Sequence, residues 1–251
     1  KNLFFYDYNN YIKKFWVGLM DGDGSMQVNH WRYKNTQYRL IIKLKFNKYN
    51  YNMLLLIKNV MGGNVNIIEN NTTVIWMVNN KKDIMNMMKI FDDYPLLTSR
   101  KQAQLNFLIL NLEKNDMNWY LNNRELKYQN LNIIASNIES FLFNLKKENN
   151  FNYIKPWLSG FMEAEGCFCL RNKNNHSFSM GQNNDTYLLE FMKFYFNASN
   201  KIRTMYKKNS MFFFLEIYKK SVINNILNHF YANPLLGEKY QSYLNFTNYY
   251  K

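Results

Sequence analysis

A pattern of nine residues occurs twice in this chain, and the duplication constrains the fold more than any other feature. Trp16-Val17-Gly18-Leu19-Met20-Asp21-Gly22-Asp23-Gly24 and Leu158-Ser159-Gly160-Phe161-Met162-Glu163-Ala164-Glu165-Gly166 place small residues, apolar residues and two acids at the same offsets, 142 residues apart. A second pair keeps step with the first. Pro95-Leu96-Leu97 precedes Lys101 and Pro234-Leu235-Leu236 precedes Lys239, so 78 residues separate Asp23 from Lys101 and 74 separate Glu165 from Lys239. Two motifs in register mean two copies of one structural unit.

The residues between these motifs alternate in two different periods. Met26 and Val28 alternate with Ser25, Gln27 and Asn29; Tyr38, Leu40, Ile42, Leu44 and Phe46 alternate with Gln37, Arg39, Ile41, Lys43 and Lys45. Period two is the mark of half-buried strands, here a hairpin. A helix is predicted over residues 52–61, stopped by Gly62-Gly63. Strands at 64–68 and 73–78 and a helix at 81–92 complete the first copy. The second copy predicts a hairpin at 167–173 and 177–182, a helix at 186–196, strands at 201–207 and 211–218, and a helix at 221–231. Each half therefore reads αββαββα with a further helix at the lysine motif, an α+β architecture. Repeats are expected at residues 1–114 and 153–251. The inter-repeat segment is 115–152, with a helical piece around Ile133, Ile138 and Leu142. Lys146 to Asn150 is read as a flexible connector.

As helices, the motifs put Gly18 and Gly22 on one face, and Gly160 and Ala164 on one face. Small residues four apart let helix backbones approach closely. A helix glycine costs about 1 kcal/mol relative to alanine, so the pattern predicts that the two motif helices pack on each other. Gly24 and Gly166 are expected as left-handed caps, and Pro156 suits a first turn. Asp23 and Glu165 then fall at helix C-termini, which already carry partial negative charge, and pairing the helices adds like-charge repulsion. Divalent cations would relieve both costs, and hard cations prefer oxygen ligands.

Charge points the same way. Thirty-two Lys and Arg against 18 Asp and Glu leave a formal +14, which favours a polyanionic partner. No apolar run reaches the roughly 18 residues of a membrane span, and the first residues lack a secretory h-region. Cys167 and Cys169, two apart, are too close for an ordinary strand disulfide and would point to one face; with His30, His176 and His229 they form no zinc-ligand spacing. The 43 Asn, with many Lys, Tyr and Phe and few Gly and Pro, follow A/T-rich codons, as in an organelle genome.

The paired nonapeptides, with their alternating strands and downstream lysines, resemble the LAGLIDADG homing endonucleases over nearly the whole chain. The resemblance implies paired motif helices at the interface of two αββαββα units, two curved antiparallel sheets forming a saddle over double-stranded DNA, and a monomeric enzyme. It implies Mg²⁺ (or Mn²⁺) held by Asp23 and Glu165, assisted by the carbonyls of Gly22 and Ala164, with Lys101 and Lys239 beside the centre. Asp21 and Glu163 match a position that is not usually a ligand. The motifs depart from the consensus at Trp16, Gly22, Ser159, Phe161 and Glu165, but both ligand positions stay acidic.

Candidate DNA contacts are the strand residues opposite the apolar face: Gln27, Asn29, Gln37, Arg39, Lys43 and Lys45, and then Arg171, Lys173, Lys201, Arg203 and Lys207. The resemblance also implies the alternative of a group I intron maturase in mitochondria, alone or alongside cleavage. Intron RNA would then use basic surface off the saddle, with Arg124, Lys127, Lys146, Lys147, Lys219 and Lys220 as candidates.

Overall fold

The computed structural model describes residues 8–171, 176–207 and 210–250. The first copy runs α1 (Tyr8–Gly22), β1 (Gly24–Trp31), β2 (Asn35–Lys45), α2 (Lys48–Met61), β3 (Asn64–Ile68), β4 (Thr73–Val78), α3 (Lys81–Asp93) and α4 (Ser99–Lys114). Between the copies lie α5 (Met117–Asn123), a 3-10 turn (Arg124–Leu126) and α6 (Leu131–Glu148). The second copy runs α7 (Ile154–Glu165), β5 (Gly166–Cys169), β6 (Ser177–Asn183), α8 (Thr186–Phe196), β7 (Arg203–Lys207), β8 (Ser210–Ile217), α9 (Lys220–Ala232) and α10 (Glu238–Tyr250). The two antiparallel sheets have the matching orders β1-β2-β4-β3 and β5-β6-β8-β7.

Alternation decides which face of each sheet is dry. In the first, Met26, Tyr38, Leu40, Ile42, Val74, Trp76 and Val78 are buried, while Gln37, Lys43 and Lys45 on the alternate positions are exposed. The helices cover the buried face and leave the other open, as expected for antiparallel sheets. Trp16 of α1 packs on Trp76 and Phe91, at ring separations of 5.7 and 5.1 Å, so the motif helix is rooted in its own repeat's core.

Strands β3 and β4 and helix α8 occupy the predicted residues. Helix α2 begins four residues earlier than predicted, because the Asn47 side chain caps it by accepting from the amides of Tyr49 and Asn50 (3.0 and 2.9 Å). Gly62 and Gly63 end it at φ 76° and 82°, a region open to glycine at no steric cost.

Three expectations are corrected. Lys146 to Glu148 do not form a flexible connector; they are the last turn of α6, where cations complement the helix dipole. Left-handed Asn149 caps that turn, and the Lys146 ammonium lies 5.3 and 5.1 Å from the Phe191 and Phe194 rings. Gly166 is extended (φ −79°, ψ 147°), not left-handed, and Gly24 opens β1 at negative φ. Their lack of a side chain matters for space: a Cβ on Gly24 would sit 2.5 Å from Met20 Cα, and one on Gly166 would sit 2.8 Å from the Met162 carbonyl. Strand β5 stops at Cys169, short of the predicted 173, because the Arg171 amide turns to donate to His176 Nδ1 (3.1 Å).

Candidate active site

Helices α1 and α7 cross with their backbones in contact. A Cβ built on Gly18 would lie 1.9 Å from the Trp157 carbonyl oxygen, and one on Gly160 would lie 1.9 Å from that of Phe15. One turn further along, a Cβ on Gly22 would lie 2.3 Å from that of Ala164. The small positions are therefore the interface, as the spacing predicted. The crossing brings the C-terminal ends of both helices together between the two sheets, and with them Asp23 and Glu165.

These two carboxyls feel each other and two lysines. Loss of hydration pushes both above the usual carboxylate range, and the Asp23 charge raises Glu165 further. Lys101 and Lys239 pull both back down. Burial lowers the Lys101 ammonium, opposed by Asp21, Asp23 and Glu165. Its Nζ donates to the Gly24 carbonyl. A cavity of about 160 Å³ on the first side of the centre is lined by Asp23, Lys45, Asn50 and Lys239. Among the described residues no group of three His, Cys, Asp or Glu could hold a metal. The oxygens the junction could present to a metal are the two carboxylates and the last-turn carbonyls of Gly22 and Ala164, which lie where the helices end. Such a set fits a hard divalent cation that keeps water and substrate oxygens as its other ligands.

What positions the lysines was not read from the sequence. Asp21 is buried and accepts from the Leu97 amide (2.7 Å), the Thr98 amide and hydroxyl (3.0 and 2.7 Å) and the Trp157 indole of the other repeat (2.8 Å). Glu163 accepts from the amides of Leu236, Gly237 and Lys239 (2.8, 2.7 and 3.2 Å). Each of these acids thus anchors the turn that leads into the helix carrying the lysine: Asp21 holds the amides just before α4, and Glu163 holds those at the start of α10. Burial pushes Asp21 up to about 6 and Glu163 up to about 7, against the pull of those donors. Every polar neighbour of these oxygens donates, so the ionised form is the one the sites accommodate. From across the interface, Tyr11 donates to the Pro234 carbonyl and Tyr153 to that of Pro95, both at 2.6 Å. Each tyrosine stands five residues before its motif, a duplicated signal that the repeat comparison could have caught.

The strand candidates divide. Gln27 pairs with Arg39 and Asn29 with Gln37 across β1 and β2, making one polar patch. Lys43 is exposed and ion-paired with Glu69 at 2.5 Å. In the second sheet Arg171 and Arg203 both converge on Glu216, the latter at 3.7 Å. Arg171 lies beyond β5, and Lys201 lies in the loop before β7, which gains ladder partners only from Arg203. These two are corrected from strand to flanking positions. Lys173 lies outside the described residues, and Lys207 is the last residue of β7. The middle of each open face is apolar: Ile41, Ile75 and Met77 are neighbours in the first sheet. In the second, Phe212 and Phe214 stack at 6.5 Å, and Phe212 lies across Gly181. The Cys167 and Cys169 thiols share that face, 3.3 Å apart.

Two αββαββα units joined through crossed helices, with one acid from each at the junction and a helix-borne lysine on either side, define a two-repeat protein with a single composite centre. The chain belongs to the LAGLIDADG endonuclease family, whose profile matches residues 16–111 and 158–250. Members of this family depend on divalent metal. A probable intron-encoded endonuclease aI3 of Debaryomyces hansenii is 49% identical over 273 residues, which cover 96% of this chain and 38% of that protein. One of the same description from Dictyostelium citrinum is 44% identical, covering 95% of both. The chain thus spans about two fifths of the yeast relative and nearly all of the slime-mould one. Among solved structures, the I-LtrWI homing endonuclease bound to target DNA superposes with a TM-score of 0.68 at 23% identity, over 96% of this chain and 90% of that one. I-SmaMI bound to uncleaved DNA in the presence of calcium ions superposes at 0.67 and 20% identity, over 94% and 89%.

Proposed function

We propose that this chain is a monomeric site-specific endonuclease that hydrolyses one phosphodiester on each strand of a long DNA site. The observation that carries the reading is the meeting of Asp23 and Glu165 at the ends of two helices held together by Gly18, Gly22, Gly160 and Ala164. The two carboxylates and the carbonyls of Gly22 and Ala164 would hold Mg²⁺ (or Mn²⁺). The chemistry a divalent metal would supply there is a lowered pKa for attacking water and stabilisation of the leaving oxygen. Lys101 and Lys239 would stand beside the centre, where a cation offsets charge developing on the phosphoryl oxygens. The open sheet faces would lie along the duplex, with Gln27, Asn29, Gln37, Arg39, Lys43 and Lys45 from one repeat and Arg171, Lys173, Lys201, Arg203 and Lys207 from the other. Residues 1–114 and 153–251 serve as the two half-site modules, with 115–152 between them. The likeness to intron-encoded relatives and the A/T-biased composition support a mitochondrial intron as the source.

The test is cleavage of a duplex selected from a randomised pool by the wild-type chain. Asp23→Asn and Glu165→Gln each remove a charge with little change of shape; both are expected to bind the selected duplex and to lose double-strand cleavage with Mg²⁺. Wild-type cutting by either variant would overturn the assignment of the centre.

A further inference from the structure

The segment joining the repeats folds back onto the edge of the first sheet. Strand β1 is an edge strand, so its outward amide and carbonyl groups need partners other than a neighbouring strand. The Met26 amide donates to Gln104 Oε1 of α4 (3.2 Å), and Tyr120 of α5 donates to the Val28 carbonyl (3.3 Å). The sealing is incomplete. A polar cavity of about 390 Å³ remains between β1, α4 and the 3-10 turn, with Gln27 and Asn29 on one wall and Arg124 and Lys127 on the other.

Tyr128 lines that corner. Its hydroxyl accepts from Gln104 Nε2 at 3.2 Å, so the ring is fixed by the same side chain that seals β1. Two cations lie over the ring: the Arg100 guanidinium carbon at 4.5 Å from its centre and the Lys127 ammonium at 5.0 Å. Arg100, Arg124 and Lys127 are all exposed residues, and among the described residues lining the cavity the one acid is Glu125, beside Arg124 at 3.3 Å. Cations at the Tyr128 ring, with Arg124, Lys127 and the Gln27 and Asn29 side-chain amides lining the same cavity, form a donor set suited to an anion.

We infer that Arg100, Arg124, Lys127 and Tyr128 form a subsite for a backbone phosphate of the DNA duplex, continuing the polar patch of Gln27 and Asn29 beyond the edge of the first sheet. The inference rests on the endonuclease reading and assigns the inter-repeat segment a part in DNA binding. Intron RNA is the weaker occupant, because the cations open onto the same face as Gln27 and Asn29.

The experiment pairs protein and DNA changes. Affinity for the selected duplex is measured over a series of KCl concentrations for the wild type, Lys127→Ala, Arg124→Ala and Tyr128→Leu. Each lost phosphate contact is expected to reduce the slope of log affinity against log salt by about 0.9, with base preference along the site unchanged. Methylphosphonate substitution is then scanned along both strands. One neutralised phosphate on the side of the first repeat should weaken the wild type and have little further effect on Lys127→Ala. Tyr128→Leu, which keeps both cations but frees them, should weaken binding with the slope nearly retained. A steep wild-type salt dependence that Lys127→Ala and Arg124→Ala leave unchanged would overturn the subsite while the endonuclease reading stands. Loss of affinity for folded intron RNA without loss for the duplex would overturn it in favour of RNA. A wild-type chain that neither binds nor cuts any selected duplex would fail the underlying reading instead.

Discussion

Substituting Gly22 by alanine tests the helix crossing in a way that has its own internal rescue. The added Cβ would stand 2.3 Å from the Ala164 Cβ, whereas apolar carbons pack at about 3.5–4.0 Å. The helices must therefore separate locally by more than about 1 Å. Overpacking of this kind costs about 1–3 kcal/mol, which in a chain of this size lowers Tm by about 2–4 °C per kcal/mol, giving roughly 2–12 °C. Ala164→Gly alone should cost about 1 kcal/mol through helix propensity. The double variant Gly22→Ala, Ala164→Gly moves the single methyl from one helix to the other and should return close to wild type, a coupling of about 2–4 kcal/mol, the sum of the two single losses. Urea unfolding with constant m, read beside Tm, measures all four corners of the cycle. Additive losses in the double variant would show that these positions do not touch and would refute the crossing. Gly18→Ala has no such rescue, because its obstacle is the Trp157 backbone carbonyl.

Four further outcomes follow from the same structure. Asp21→Asn should lower kcat more than duplex affinity, since one amide group cannot accept from all four donors that set α4 and Lys101; Asp21→Glu restoring kcat without altering affinity would count against that geometry. Buried His229, which lies 3.0 Å from the Tyr195 hydroxyl, has its pKa lowered by burial from 6.5 to about 3. The unfolded chain therefore takes up a proton that the folded chain refuses, and stability should fall as pH drops from about 6.5 towards 3, by up to about 5 kcal/mol; His229→Gln should flatten this acid limb, and an unchanged pH profile of urea midpoints would contradict it. Affinity for the selected duplex should fall steeply with salt, and a flat dependence would argue against an extended DNA-facing surface. The apolar middles of both open faces should meet thymine methyl groups, so replacing thymine by uracil throughout the selected duplex should weaken binding; equal affinity would exclude that contact.

Much of this architecture is visible in the chain because local signals and tertiary demands agree. The β3-β4 hairpin has alternating residues bounded by turn formers, and the α8 segment has an apolar run that ends at left-handed Asn197. The acids of the centre were legible because duplication isolates them from background. Lys146 and Lys147 misled because charge alone was read as a linker, although Ile138 and Leu142 bury the same helix. Gly24 and Gly166 misled in a subtler way: glycine serves both left-handed turns and tight approaches, and only coordinates distinguish the methionines above them. The anchors made by Asp21 and Glu163 join residues more than 70 apart, a distance over which no local periodicity operates. The Arg171 and Arg203 pairing on Glu216 was hidden for the same reason.

The turns at the two lysines are each tied to the opposite repeat. Ser99 at the start of α4 donates to Asp185 at the start of α8 through amide and hydroxyl (3.0 and 2.6 Å), and Tyr187 donates to the Leu97 carbonyl (3.0 Å). In the mirror position, Asn47 Nδ2 donates to the Glu238 carboxylate and the Glu238 amide donates to Asn50 Oδ1, both at 3.0 Å. The braces match in place but not in chemistry: an aspartate and a serine on one side, two asparagines and a glutamate on the other. A hybrid that joined this first repeat to a second repeat of foreign origin could therefore keep the glycine crossing and still misplace both lysines. The grafted half would have to bring an acceptor for Ser99 and a residue able to answer Asn47 and Asn50. Half-sites in this molecule are interchangeable as shapes, yet keyed to their own partner like the two sides of a lock.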